Sequence, residues 1–343
     1  MDLGKKIKSL RIGAGYTQED LAGKLKISSQ AVSKWENNIC APDIYVLPQL
    51  SVIFGITIDE LFNLTTDEKL NRIENMLDIE SSLNDNTFND TRHFLMEELN
   101  SNQDTARIYS LLARLYHHRM ASDSVFVSRY ARESMRLNPD KKDCQWLLQL
   151  SEGAAITDWN ARQHTKTINF YKEQVAKHPD ISRNYLELMD NLLLDHRHEE
   201  ALSYLLKYRS LKNHNEIQVP VYQARIALSQ GNHELARQHI QELVTNYPNN
   251  WCALFEAGGF YADRCEYDTA LTYFDKAFLA SKSPRYTDPL TAMALIYEIK
   301  GDIAKSIECY KQILVLLKDD WGFSEGAPVD EINYEIERLH NLV

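Results

Sequence analysis

Ala201, Ala236, Ala270 and Ser306 recur at intervals of 35, 34 and 36 residues. A self-similar period in this range is the mark of stacked structural repeats, and it restricts the fold more than any local motif can. The flanking residues keep the phase. Four windows, 182–215, 217–250, 251–284 and 287–320, align so that Ala224, Gly258 and Ala294 share position 8, Gly231 and Gly301 share position 15, and Leu205, Ile240, Phe274 and Tyr310 share position 24. Small residues at positions 8 and 20, with a turn at 15, describe two short helices packed closely together. One such pair cannot bury its own apolar face. Stacking successive pairs does, and the small rotation at each step curves the array into a superhelix.

Upstream the period degrades. Residues 107–139 and 142–179 read as two irregular pairs, closed by Asn138-Pro139 and His178-Pro179. Downstream, Val329, Ile332, Ile336 and Leu339 lie at helical spacing, so 328–342 reads as an amphipathic cap. The chain contains only 12 Gly and 9 Pro, too few for the frequent turns of a sandwich or barrel. The pattern, with Ala277 at position 27 and Tyr261 and Tyr297 at position 11, is similar to the tetratricopeptide repeat. That resemblance implies an α-solenoid of about six helix pairs over residues 91–343. It also implies a concave wall lined by the first helix of each pair at positions 2, 5, 9 and 12–13. Here those positions include Arg183, Asp190, Gln218, Arg225, Phe255, Asp263, Thr291 and Glu298. A polar wall of mixed charge suits an extended peptide or protein effector. A solvated wall with no ligand, or one filled by a partner subunit, is the alternative.

Net charge is −11, from 38 basic and 49 acidic side chains, which taken alone argues against a nucleic-acid partner. The acid is unevenly spread, however. Residues 1–63 hold seven of each sign and sum to zero, so the whole −11 lies in 64–343. Residues 1–40 keep the seven bases but only four acids, Asp2, Glu19, Asp20 and Glu36, and carry +3. A mildly basic head thus precedes an acidic array.

In the head, Leu3, Ile7 and Leu10 share one helical face, and Gly13 and Gly15 end that helix. Thr17 caps a second helix with acids in its first turn and Leu21, Ala22 and Leu25 on its apolar face. Ser28 caps a third, in which Ala31, Val32 and Trp35 face inward and Ser29, Gln30, Ser33 and Lys34 face outward. Two further apolar helices run from Ile44 to Phe54 and from Ile58 to Phe62. Two short helices joined by a tight turn are the helix-turn-helix arrangement, whose outer face can enter a major groove.

Thr17–Phe62 resembles the phage-repressor/Cro-type (XRE) helix-turn-helix family, through SKWENN at 33–38, the Pro42-Asp43 step, LPQLSVIFGI at 47–56 and IDELF at 58–62. The resemblance implies an N-terminal five-helix DNA-binding domain at residues 1–63. By it, Gln18 touches a phosphate, Ser29, Gln30, Ser33 and Lys34 form the recognition surface, Asn37 meets the DNA backbone, and the cap residue Ser28 counts with them among the DNA-binding residues. Glu36, Asp43, Asp59 and Glu60 follow the recognition face and are expected to turn away. The turn position usually held by glycine is Lys26 here, which adds a cation near DNA and implies left-handed backbone strain of about 1 kcal/mol.

Between head and array, Thr66 is expected to cap an arm helix over 66–80, followed by a polar hinge at 81–90 within a 64–90 linker.

Catalytic and metal motifs are missing from the sequence. His233-Glu234-Leu235-Ala236-Arg237-Gln238-His239 approaches a zinc motif, but six residues at 100° each put the rings about 240° apart. No apolar segment follows Lys5, Lys6 and Lys8, no run approaches a membrane span, and Cys40, Cys144, Cys252, Cys265 and Cys309 form no paired motif. The expectation is a cytoplasmic, non-enzymatic transcriptional regulator without cofactor or metal. It reads a double-stranded DNA operator, forms a homodimer and senses a peptide or protein, similar to the peptide-pheromone-responsive regulators. A DNA-anchored scaffold and a ligand-independent repressor of phage or antitoxin type are the alternatives.

Overall fold

Helix-forming segments with few breakers give an all-α chain, and the computed structural model describes residues 3–62, 65–100, 104–153 and 164–342. No strand occurs among the described residues. The chain divides into two units, Met1–Ser122 and Asp123–Val343.

The first unit opens with five helices: α1 (Leu3–Gly13), α2 (Gln18–Leu25), α3 (Ser29–Glu36), α4 (Leu47–Phe54) and α5 (Ile58–Leu61). A single 3-10 turn at Ile44–Val46 leads into α4, where one continuous helix was expected. Ile7, Leu21, Ala22, Leu25, Val32, Trp35, Leu50 and Leu61 form the core. Gly4 lets α1 approach α3, since a Cβ there would lie 2.1 Å from the Trp35 carbonyl oxygen.

α6 (Thr66–Ile79), α7 (Asp85–Asn100) and the start of α8 (Thr105–Leu137) share a second core of Leu70, Ile73, Phe88, Leu95, Ile108, Leu111, Leu112 and Leu115. Thr65, one residue earlier than expected, caps α6, because its hydroxyl and the Glu68 carboxylate close a capping box. The expected hinge at 81–90 passes into helix at Asp85. The irregular pair expected at 107–139 is instead the single 33-residue helix α8. The residues from 105 to 137 contain neither Gly nor Pro, so nothing in the local chemistry breaks the ladder.

The rest of the second unit comprises α9 (Lys142–Ser151), α10 (Thr165–Lys177), α11 (Ser182–Leu194), α12 (His198–Arg209), α13 (Gln218–Ser229), α14 (His233–Asn246), α15 (Trp251–Ala262), α16 (Tyr267–Ala280), α17 (Asp288–Ile299), α18 (Ile303–Asp319) and the cap α19 (Ala327–His340). The four sequence repeats are the pairs α11–α12, α13–α14, α15–α16 and α17–α18. Their position-20 anchors, Ala201, Ala236, Ala270 and Ser306, are all fully buried. Position 15 takes the left-handed conformation in every repeat: Gly231 and Gly301 at φ 77°, His196 and Cys265 at φ 58°. An aromatic ladder in the same phase joins successive repeats. Trp251 stacks on Tyr286 with centroids 5.1 Å apart, and Tyr286 meets Trp321 at 5.7 Å.

Candidate nucleic-acid interface

The head holds α3 in place by burying an ion pair. Glu36, the last residue of α3, points inward, and its side chain is 1% exposed. Its carboxylate therefore faces the core of the head and not the outer face of α3. Its carboxylate accepts from Arg11 of α1 in a two-pronged contact, Nε to Oε1 at 2.5 Å and Nη2 to Oε2 at 3.0 Å. A third Arg11 nitrogen, Nη1, donates to the Tyr16 carbonyl at 2.7 Å. Burial alone would raise the Glu36 pKa, but hydrogen bonds from Arg11 and Gln18 and the nearby Arg11 charge hold it below the ordinary value. Isolated buried charges are expensive, so this pair ties α1 to the end of α3.

The sequence did carry a signal for this pair. Arg11 falls four residues after Ile7 and Glu36 four after Val32, each on an apolar face where a charge must be paired.

Gln18, at the first turn of α2, is half-buried and donates Nε2 to Glu36 Oε2 at 2.8 Å. Its side chain is thus oriented by the same buried carboxylate. Lys26 ends α2 in the left-handed region, φ 56° and ψ 43°, while its N–H satisfies the carbonyls of Ala22 and Gly23. Ser28 is exposed and its hydroxyl accepts from the Ala31 N–H at 3.2 Å, so it acts as the N-cap of α3. Ser29, Gln30 and Lys34 are exposed on the outer face of α3, and Ser33 is half-buried beside them. Asn37 is exposed but folds its amide back onto the Ser33 carbonyl at 2.8 Å. Six of the eight head residues, Ser28, Ser29, Gln30, Ser33, Lys34 and Asn37, lie on or immediately beside α3, while Gln18 and Lys26 bracket α2. Short polar side chains, one lysine and no bulky aliphatic on such a face are chemically suited to base edges and phosphates.

The expected effector-wall residues fall into two groups. Asp190 accepts from the Tyr222 hydroxyl at 2.7 Å and from Arg225 Nη1 at 2.5 Å, and Gln218 donates to Glu256 at 3.2 Å. These residues line adjacent first helices, α11, α13 and α15. The others are separate from this network. Arg183 pairs with Glu187 at the exposed start of α11, Phe255 packs against Phe274 at 5.3 Å, and Thr291 bonds back to the Thr287 carbonyl. Asp263 is the exposed C-cap of α15. Glu298 is held by both outer nitrogens of Arg338 from α19, each at 2.7 Å. Glu256, a half-buried acid beside Gln218, was not singled out by the repeat pattern. It occupies position 6, between the positions taken to face inward.

No group of three or more His, Cys, Asp or Glu side chains placed to hold a metal occurs among the described residues. Nor is any described helix long and apolar enough to cross a membrane.

Residues 7–61 match the helix-turn-helix family. The transcriptional activator BcrR of Enterococcus faecalis is 41% identical over 63 residues, 18% of this chain, and the match spans only 31% of BcrR's length. The transcriptional regulator ImmR of Bacillus subtilis (strain 168) is 35% identical over 98 residues, 29% of this chain and 71% of ImmR. Among solved structures, PlcR of Bacillus thuringiensis, in complex with the peptide PapR7 and DNA, aligns over 99% of both chains at 12% identity with a TM-score of 0.29.

Proposed function

From the premise that this chain belongs to the helix-turn-helix family of transcriptional regulators, we propose that the outer face of α3 reads a double-stranded DNA operator and that the repeat array responds to an effector. The observation that carries the first part is the division of α3. Val32, Trp35 and Glu36 are buried, while Ser29, Gln30 and Lys34 stand exposed on a helix fixed by Arg11. In this reading Gln30 and Lys34 contact base edges, Ser29 and Ser33 shape the fit, and Gln18, Lys26 and Asn37 meet phosphates.

Two copies of the chain place their heads on half-sites about 34–36 Å apart, one turn of DNA. The effector is a peptide or protein segment lying along the wall formed by α11, α13 and α15. Asp190, Gln218, Arg225 and Glu256 supply donors and acceptors there. An effector that prefers one curvature of the array shifts the population of head spacings, and so regulates operator affinity.

The test is operator selection from a random duplex pool, followed by binding of Gln30→Ala/Lys34→Ala at fixed salt. Each base contact is worth about 1–3 kcal/mol of discrimination. The double variant should therefore lose at least tenfold in specific affinity and much less on unrelated DNA. Equal binding of the selected operator by variant and native protein would refute the assignment.

A further inference from the structure

Between α13, α14 and α15 lies a cavity of about 230 Å³ lined by Val221, Leu228, Ile240 and Phe260, with Arg225, Glu256, Asp263 and Arg264 as its charged groups. The charges in it are not equally committed. Arg225 is bonded to Asp190 and lies over the Tyr222 ring at 5.1 Å. Arg264 is folded onto its own helix, over the Phe260 ring at 3.7 Å and donating to the Phe260 carbonyl. Glu256 by contrast accepts a single hydrogen bond among the described residues, from the neutral amide of Gln218 at 3.2 Å. Among the described residues its second oxygen has no hydrogen-bond donor, and no cation is hydrogen-bonded to it.

Burial raises the Glu256 carboxyl above its ordinary value, against the weaker pull of Gln218 and of the Arg225 charge. Partial burial thus strips some hydration from this acid, while the nearby Arg225 guanidinium is hydrogen-bonded to Asp190 and not to it. Beside it, Gly259 leaves space: a Cβ there would meet nothing within 4 Å.

We propose that this cavity takes one aliphatic cation of the effector, a lysine side chain or a peptide amino terminus, with its alkyl portion on the Val221–Leu228–Phe260 lining and its ammonium on Glu256. The volume admits one side chain, not a folded ligand, since pockets for whole small molecules run to about 300–1,000 Å³. An anion is disfavoured, because both nearby guanidinium groups are already engaged within the protein. The inference rests on the reading of the array wall as the effector site and adds the chemistry of one anchor.

The experiment uses the full-length protein and three peptides, measured by isothermal titration calorimetry and thermal shift. Acetyl-Ala-Lys-Ala-amide presents the side-chain ammonium, Ala-Ala-Ala-amide presents the amino terminus, and acetyl-Ala-(acetyl-lysine)-Ala-amide presents neither. At least one cationic peptide should bind at least tenfold more tightly than the neutral one, and which of the two does so identifies the source of the cation. Glu256→Gln should remove that preference while leaving the melting temperature of the array in place. Gly259→Leu, a change favoured by helix propensity, should fill the cavity and abolish binding of all three. Equal binding of cationic and neutral peptides would overturn the inference while leaving the wall as an effector site. Retention of the preference in Glu256→Gln would also overturn it. No binding of any peptide would overturn both the anchor and the peptide-effector reading, and operator binding measured in parallel reports separately on the head.

Discussion

Replacing Glu36 by glutamine keeps the shape of the side chain and removes the charge that Arg11 faces. Breaking a buried ion pair from one side costs about 3–5 kcal/mol, because the remaining charge is left uncompensated. Both side chains here are nearly inaccessible, 11% and 1% exposed, so solvent cannot substitute for the lost partner. The glutamine oxygen can still accept from Arg11, and Arg11 keeps its bond to the Tyr16 carbonyl, which places the effect near the lower end, about 3 kcal/mol. A head of this size has a total stability of about 3–9 kcal/mol, so Glu36→Gln should bring it to the margin of unfolding. The array has separate cores and should be unaffected.

Hydrogen exchange read by mass spectrometry on the full chain resolves the two. Amides of α2 and α3 should exchange roughly 150-fold faster, since each 1.4 kcal/mol is about a factor of ten. Those of α13–α16 should not change. Arg11→Met/Glu36→Leu, which removes both charges, should recover most of the protection. A change below tenfold in α3, or a double variant as labile as Glu36→Gln, would refute the claim that this pair holds the recognition helix. The pH dependence has a fixed sign. The folded-state pKa of Glu36 is depressed from 4.5, so its contribution is fully present above that value. It is lost as pH falls through the lower, folded one, and Glu36→Gln should lack this acid-sensitive step.

The array offers two sharper packing tests. Gly258→Ala would set a Cβ 2.6 Å from the Phe274 ring, and such overpacking costs about 1–3 kcal/mol. Gly259→Ala meets open space and should be neutral or stabilising by up to about 1 kcal/mol. Thermal melts that moved in the same direction for both would contradict the packing of α15 on α16. Ser306 is fully buried and its Oγ has no hydrogen-bond partner among the described residues. Ser306→Ala should therefore stabilise by about 1 kcal/mol, seen as a rise of about 2–4 °C in the melting temperature. A fall would mean that the hydroxyl is satisfied after all.

What could be read from the sequence was periodic. The four repeats were legible because the position-20 anchor recurs four times and is fully buried each time, so the signal survives any one substitution. The left-handed turn was visible at Gly231 and Gly301 but not at His196 or Cys265, which take the same conformation without the residue that announces it. At α8 the expectation of a repeat overrode a local signal that was present, namely an unbroken run without Gly or Pro. For charge pairing, the sequence marked at most that a charge such as Glu36 or Arg11 lies on an apolar face, not which distant residue answers it. Glu36 and Arg11 lie 25 residues apart, Asp190 and Arg225 35 apart, and Glu298 and Arg338 40 apart. Pairings at such separations leave no local pattern, so each acid's partner is visible only in the fold. The same pairings bear on the effector wall. Asp190 and Glu298, both expected to face a ligand, are neutralised by arginines of the chain itself. Glu256, at a position the repeat pattern passed over, is half-buried and among the described residues is hydrogen-bonded only by the neutral amide of Gln218. A ligand that gains from charge on this wall gains most there, which is why the choice between a cationic and a neutral peptide is the measurement that discriminates.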